Sequence, residues 1–292
     1  MTFKRLACAA AVLLSLSTAH ADVLMTNFEN PFSIGPLPGG LDARTPGNAN
    51  QWYVPDNAAT FGEVRAGVGR GGSNGLVVGN RGNGNDGVID NVKSGMLAQA
   101  AGETSSGAPN RMFESSFWFR TASTVADANF AFKTETWGTD RTTWLGFFAN
   151  GSGGLEAEYS GMDTAGNFTS VIVNNTLSWG EWYQVVTKVL FADGGPANDL
   201  VSVDILNAGG TNIGSVSGQQ TWEEGQRQFG YNGGMQVAAN AIGFQARFST
   251  RGDTVIIDDV SWASSAIPEP GSLALIGLAG LAAFAAGRRK AR

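Results

Sequence analysis

Glu181-Trp-Tyr-Gln-Val-Val-Thr-Lys-Val-Leu-Phe191 is the stretch that decides the fold. Tyr183, Val185, Val189 and Phe191 fall on one face of a chain with a period of two, which is a half-buried strand and not a helix. Asp193-Gly-Gly195 then turns the chain towards Leu200-Val-Ser-Val-Asp-Ile205, where Val201, Val203 and Ile205 alternate with Ser202 and Asp204. The same alternation continues outward. Upstream lie Met112–Arg120, Asn129–Glu135 with Phe130 and Phe132 opposed to Ala131 and Lys133, Thr143–Phe148, and Leu155–Tyr159 behind the turn Asn150-Gly-Ser-Gly-Gly154. Downstream, Thr254–Trp262 is the last strand of the body, and no long amphipathic helix is read in it. The pattern predicts an all-β protein built as a two-sheet β-sandwich.

Composition agrees. Of 292 residues, 41 are Gly, 17 Phe and 8 Trp, so Gly is roughly twice its average share of about 7%. Many tight turns between aromatic strands would produce this, whereas the absence of a fixed glycine period excludes a fibrous repeat. The sequence has one Cys and one His, Cys8 and His20. Both lie in a segment that reads as a removable leader, which takes thiol nucleophiles, His-based triads, ordinary zinc sites and disulfides away from the remaining protein. The body that remains is long enough to bury its own core.

The ends of the chain read as addresses. Lys4-Arg5, the apolar run Leu6–Leu16 and the small residues Ala19 and Ala21 form a secretory signal over residues 1–21, with cleavage after Ala21. Cys8 precedes most of the apolar run and has Arg5 three residues before it, so it does not read as a lipoprotein cysteine. At the other end, Pro268-Glu269-Pro270 precedes the 17 uncharged residues 271–287 and then Arg288, Arg289, Lys290 and Arg292. At 1.5 Å per residue that stretch spans about 25 Å, the short end for a single transmembrane helix. The basic cluster holds the cytoplasmic side. Residues 22–266 are then the exported domain, with 13 basic against 24 acidic residues and a formal charge of −11. Such a body is a poor partner for nucleic acid.

The combination of Pro268-Glu269-Pro270, a short apolar helix and a terminal Arg/Lys cluster, with a signal peptide at the opposite end, resembles the PEP-CTERM sorting signal of Gram-negative bacteria over residues 267–292. The resemblance implies recognition of Pro268, Glu269 and Pro270 by an exosortase-type membrane protease or transferase, and a stop-transfer role for Arg288, Arg289 and Lys290. It also implies export through the inner membrane as a membrane-anchored precursor, then a cell-surface or extracellular location, often beside extracellular polysaccharide. Between Arg111 and Trp262, the Phe117-Trp-Phe-Arg120 strand, the Trp182-Tyr183 strand opening with its Asp-Gly turn and the closing Ile257-Asp-Asp-Val260 strand are similar to a concanavalin A-like (laminin G-type) jelly roll. Asp22 to about Pro109 then supplies outer strands of the same domain, with residues 69–91 as a loop region around the strand Leu76-Val77-Val78.

Three chemistries are weighed for the body. Glu156 and Glu158 share a strand face as glycosidase acids do, but position 161 is Gly where the Glu-x-Asp-x-x-Glu pattern places its third acid, so a solvated face is read. Asp86 and Asp90 lie in Gly84-Asn-Asp-Gly-Val-Ile-Asp-Asn91, whose alternating oxygens suit calcium, as does the Asp258-Asp259 pair; turn chemistry explains the same residues. Trp137, Trp144 and Trp222, together with Trp179 and Tyr231, lie in or beside predicted loops and are candidates for stacking on sugar rings. Gly67-Val-Gly-Arg-Gly-Gly72 lacks the lysine and helix of a phosphate loop, and Arg251-Gly-Asp253 reads as a turn. The expected function is that of an exported, non-catalytic, carbohydrate-binding β-sandwich without a cofactor other than calcium. The alternative is a polysaccharide-active glycoside hydrolase or lyase.

Overall fold

The computed structural model describes residues 22–29, 32–37, 51–54, 62–79, 90–103, 106–121, 129–136, 140–193, 198–225, 238–247 and 254–266. Its strands in chain order are β1 (Asp22–Thr26), β2 (Gly35–Pro36), β3 (Gly62–Arg65), β4 (Gly75–Gly79), β5 (Asp90–Lys93), β6 (Ala101–Gly102), β7 (Met112–Thr121), β8 (Asn129–Thr136) and β9 (Asp140–Arg141). They continue with β10 (Trp144–Ala149), β11 (Leu155–Met162), β12 (Phe168–Leu177), β13 (Tyr183–Leu190), β14 (Leu200–Asn207), β15 (Asn212–Gln219), β16 (Ala238–Ala239), β17 (Ala241–Arg247) and β18 (Thr254–Ser265). One sheet runs β15-β14-β13-β7-β18-β4-β3-β2, with β1 also on β18; the other runs β12-β11-β10-β8-β17-β5, with β9 on β8. The protein is the all-β sandwich that the alternation predicts. The segment before Pro109 does supply outer strands: β2, β3 and β4 lie at one end of the first sheet and β5 at one end of the second.

Strand alternation builds the core. Along β13, Tyr183, Val185, Thr187 and Val189 are buried and the residues between them half-buried. Between the sheets, phenylalanines interlock. Phe117 of β7 lies 4.6 Å from Phe132 of β8 and 4.9 Å from Phe244 of β17, between ring centroids. Phe119 lies 5.2 Å from Phe130 and 4.7 Å from Phe147, while Phe130 and Phe147 stack at 4.3 Å. Tilted and edge-on pairs at such distances add to the burial of the rings themselves. Trp52 extends the cluster, stacked 5.9 Å from Phe244 and edge-on to Trp262 at 5.8 Å.

The edge strands β12 and β15 lie at the same side of the sandwich and meet there, where Asn174 Nδ2 donates to Ile213 O at 2.7 Å. That contact covers backbone which an open sheet edge would expose. Glu156 and Glu158 on β11 are half-buried and alternate with the buried Ala157 and Tyr159. They point out of the sandwich, the solvated-face reading.

Phe117→Ala removes the ring that both sheets share. The expected cost is about 3–5 kcal/mol, seen as a lower denaturant midpoint with an unchanged slope. A loss below 1 kcal/mol would show that the layer does not hold the sheets together.

Candidate functional site

Trp144 opens β10, and Trp222 follows β15 by three residues. Trp222 is fixed at two points. Its backbone N–H donates to Thr142 O at 3.0 Å, and its indole Nε1 donates to Ser160 O at 2.8 Å. The two indoles then lie nearly parallel, 27° apart with centroids at 6.1 Å. The Arg141 guanidinium lies over both, 4.6 Å from the Trp144 ring and 5.5 Å from that of Trp222. Phe168, 64% exposed at the start of β12, meets Trp222 edge-on at 5.0 Å. Register aligns the strand residues beneath: Trp144 pairs with Ser160, which pairs with Ser170, and the two hydroxyls are 3.2 Å apart. An aromatic surface bordered by hydroxyls and a guanidinium can take the apolar face of a sugar ring and hydrogen-bond its rim.

A charged strip crosses the same sheet from β8 to its end strand β5. Lys93, Gly243 and Lys133 stand side by side on β5, β17 and β8. Lys93 Nζ lies 3.0 Å from Glu135 Oε1, and Lys133 Nζ lies 3.6 Å from Glu135 Oε2. All three side chains are buried. A Cβ on Gly243 would come within 2.8 Å of Lys133 Cε, so glycine makes room for the lysine stem. Burial lowers the Lys133 pKa, Glu135 opposes the shift, and the positive charges of Lys93 and Arg141 add to it.

Two further clusters involve acids. Glu103, Asp199 and Glu223 are fully buried, with one oxygen from each within 4.8 Å of the others. Asp199 accepts from Ala192 N at 2.9 Å and from Thr221 Oγ1 at 3.1 Å. Burial, with the Asp199 charge adding to it, pushes the Tyr159 hydroxyl above its ordinary range. Three carboxylate oxygens at this spacing are a donor set of the kind hard divalent cations take. Glu103 lies 96 positions before Asp199 and Glu223 lies 24 after it, and no local spacing links them. Asp258, weighed with Asp259 for calcium, has its oxygens engaged by the protein itself. Oδ2 accepts from Arg70 N at 2.7 Å and Ser73 Oγ at 2.8 Å, and Oδ1 accepts from Asp259 N at 2.8 Å. Gly69 permits this approach, since a Cβ there would meet Asn74 O at 2.3 Å and Asp258 Oδ2 at 2.6 Å. Asp258 therefore clamps the 69–74 loop.

The remaining sequence candidates divide as follows. Asp90 begins β5, its backbone paired with Ala246. Trp179 packs, partly buried, against the main core. Trp137, Tyr231, Asp86, Ala19, Ala21, Pro268, Glu269, Pro270, residues 271–287, Arg288, Arg289 and Lys290 lie outside the described residues. Among the described residues no helix is long and apolar enough to cross a membrane.

Residues 266–290 match the PEP-CTERM protein-sorting motif. No curated protein matches the chain. Among solved structures, the chain is similar to the CBM2 module of the evolved Dit of Lactobacillus casei BL23 phage J-1, at 12% identity over 86% of this chain and 99% of that one, with a TM-score of 0.48. It is also similar to the endo-beta-1,4-glucuronan lyase of the fungus Trichoderma reesei (15% identity, 80% and 95% covered, TM-score 0.44). Peanut lectin is a third such structure (13% identity, 84% and 98% covered, TM-score 0.41).

Asp258→Ala removes the acceptor of three half-buried hydrogen bonds, with an expected cost of about 1–3 kcal/mol and faster proteolytic nicking at 69–74. Burial raises the Asp258 pKa above its ordinary 3.8 despite the hydrogen bonds. The stability tied to that shift is fully present below the unfolded value and is lost as pH rises through the folded one. The deficit of the variant is therefore expected to be largest in acid and to narrow towards neutral pH in denaturation curves.

Proposed function

We propose that the protein is an exported envelope or matrix protein. An exosortase-type membrane enzyme sorts it through Pro268-Glu269-Pro270, and its sandwich binds carbohydrate at the Trp144–Trp222 surface. The observation that carries the binding reading is the indole pair itself. Two parallel tryptophans and an exposed phenylalanine stand at the surface, where an acidic soluble domain would otherwise place charge. The hydrogen bond from Trp222 to Ser160 O holds one ring in place before a ligand arrives, which reduces the ordering cost of binding. The surface of rings and hydroxyls supports a non-catalytic reading, as does Gly161 where the Glu156 and Glu158 pattern would place a third acid.

One observation favours the alternative, a polysaccharide-active hydrolase or lyase. Lys133 has a depressed pKa and lies in the strip beside the aromatic surface, with Arg141 contributing to both, and such an amine suits proton abstraction.

Trp222→Ala is expected to weaken binding to extracellular polysaccharide at least tenfold, about 1.4 kcal/mol, in pull-down titrations with the folded state checked by circular dichroism. Unchanged binding rejects this surface, and release of oligosaccharides on incubation favours the enzyme. Replacing Pro268, Glu269 and Pro270 with alanines is expected to retain a full-length membrane form in native cells. Unchanged processing, followed by mass spectrometry of the C-terminus, would sink the sorting reading.

A further inference from the structure

On the opposite sheet, β18 changes partners. Through Ile257 it pairs with β4, and from Val260 onward with β1. Between these, its register against β7 shifts in a bulge at Asp258–Ser261. Asp259 sits in the bulge with φ of 46°, a left-handed conformation that a non-glycine residue adopts at a cost. Bulges of this kind re-aim a side chain, and here a carboxylate is left 45% exposed, while its neighbour Asp258 is covered by the 69–74 loop that it clamps.

A groove of about 490 Å³ opens at this handover, within the usual size range of small-ligand sites, about 300–1,000 Å³. Trp118 of β7, Gln184 of β13, Ser261 and Asp259 of β18, and Met25 and Asn27 from β1 and its end line it. Ser261 Oγ is hydrogen-bonded to Ser116 Oγ at 2.9 Å. The Arg70 guanidinium stacks 3.9 Å over the Trp118 ring and stands 3.9 Å from Asp259 Oδ2. Arg70 is held there because its own N–H is one of the donors clamped by Asp258.

We propose that this groove binds a neutral, hydroxyl-rich ligand, a single saccharide unit. The charge arrangement decides the class. An anion drawn by Arg70 meets the Asp259 carboxylate, and a cation drawn by Asp259 meets the guanidinium, so a charged ligand gains little from either. A neutral polyol uses both, since each hydroxyl donates to Asp259 and accepts from Arg70 or from the amides of Gln184 and Asn27. Met25, 69% exposed, offers an apolar surface for ring C–H groups. The site is independent of the Trp144–Trp222 surface, which lies on the other sheet.

The test uses the full-length chain in a detergent without a sugar headgroup. Saturation-transfer NMR is recorded with methyl α-glucoside, methyl α-galactoside and methyl α-mannoside. At least one glycoside is expected to show transfer, and its signal should fall at least tenfold in Asp259→Gly, a change that removes the carboxylate and relieves the backbone. The melting temperature of that variant should stay equal or rise. Both proteins are compared in a Trp222→Ala background, so that the indole surface contributes no transfer. Two results overturn the proposal: no transfer from any of the glycosides, or transfer undiminished by Asp259→Gly. A failure of Trp222→Ala to weaken polysaccharide binding rejects only the other surface.

Discussion

The contact between Phe117 of one sheet and Phe132 and Phe244 of the other is where the two halves of the molecule become one. The only cysteine, Cys8, lies before the sandwich, so no disulfide joins the sheets. Their cohesion comes from burial of the aromatic layer. The same alternation fixes what each sheet shows to the outside. Placing Phe117 and Phe119 inward turns Trp118 outward to the bulge groove. Placing Phe130 and Phe132 inward turns Lys133 to the opposite face of β8, beside Lys93 and Glu135. A slip of one residue in β7 or β8 would exchange the core for the sites.

Buried charge is the second theme. Lys93, Lys133 and Glu135 share a place where each ion alone would cost several kcal/mol, and mutual pairing offsets part of that cost. Asp258 resolves its burial differently, by accepting hydrogen bonds from a loop that glycine allows to come close. The protein is acidic overall, yet the groups nearest the aromatic surface and the groove include Arg141 and Arg70, each stacked on tryptophan.

Strands with a buried face were legible in the sequence. The stretches Glu181–Phe191, Met112–Arg120 and Thr254–Trp262 contain β13 and most of β7 and β18, because apolar residues recur along one face of each. β12 and β15 escaped because they are edge strands. Phe168-Thr-Ser-Val-Ile-Val-Asn-Asn-Thr-Leu177 buries little beyond Val173 and Leu177, and Asn212–Gln219 is mostly Gly, Ser and amide. The site was legible residue by residue but not as an arrangement. Trp144 and Trp222 could be named from their neighbours in the chain, whereas their pairing depends on Trp222 docking to Ser160 across 62 positions. The acids Glu103, Asp199 and Glu223 converge from separate loops, and the bulge at Asp259 is a register shift that no single strand's pattern reveals.

The pairing of β1 with β18 has a mechanical consequence. Asp22 lies opposite Ser264, so the sandwich is entered and left at the same end of two antiparallel neighbours. The backbone at Asp22 and at Ser264 therefore leaves the sheet side by side. In a precursor whose leader is still uncut, tension drawing both ends towards one surface leaves the seam between them unloaded, and the body hangs from that end. Tension pulling them apart would open β1 from β18 like a zipper, breaking its hydrogen bonds in succession and not all at once. Resistance would then rest on β7, which holds the other edge of β18.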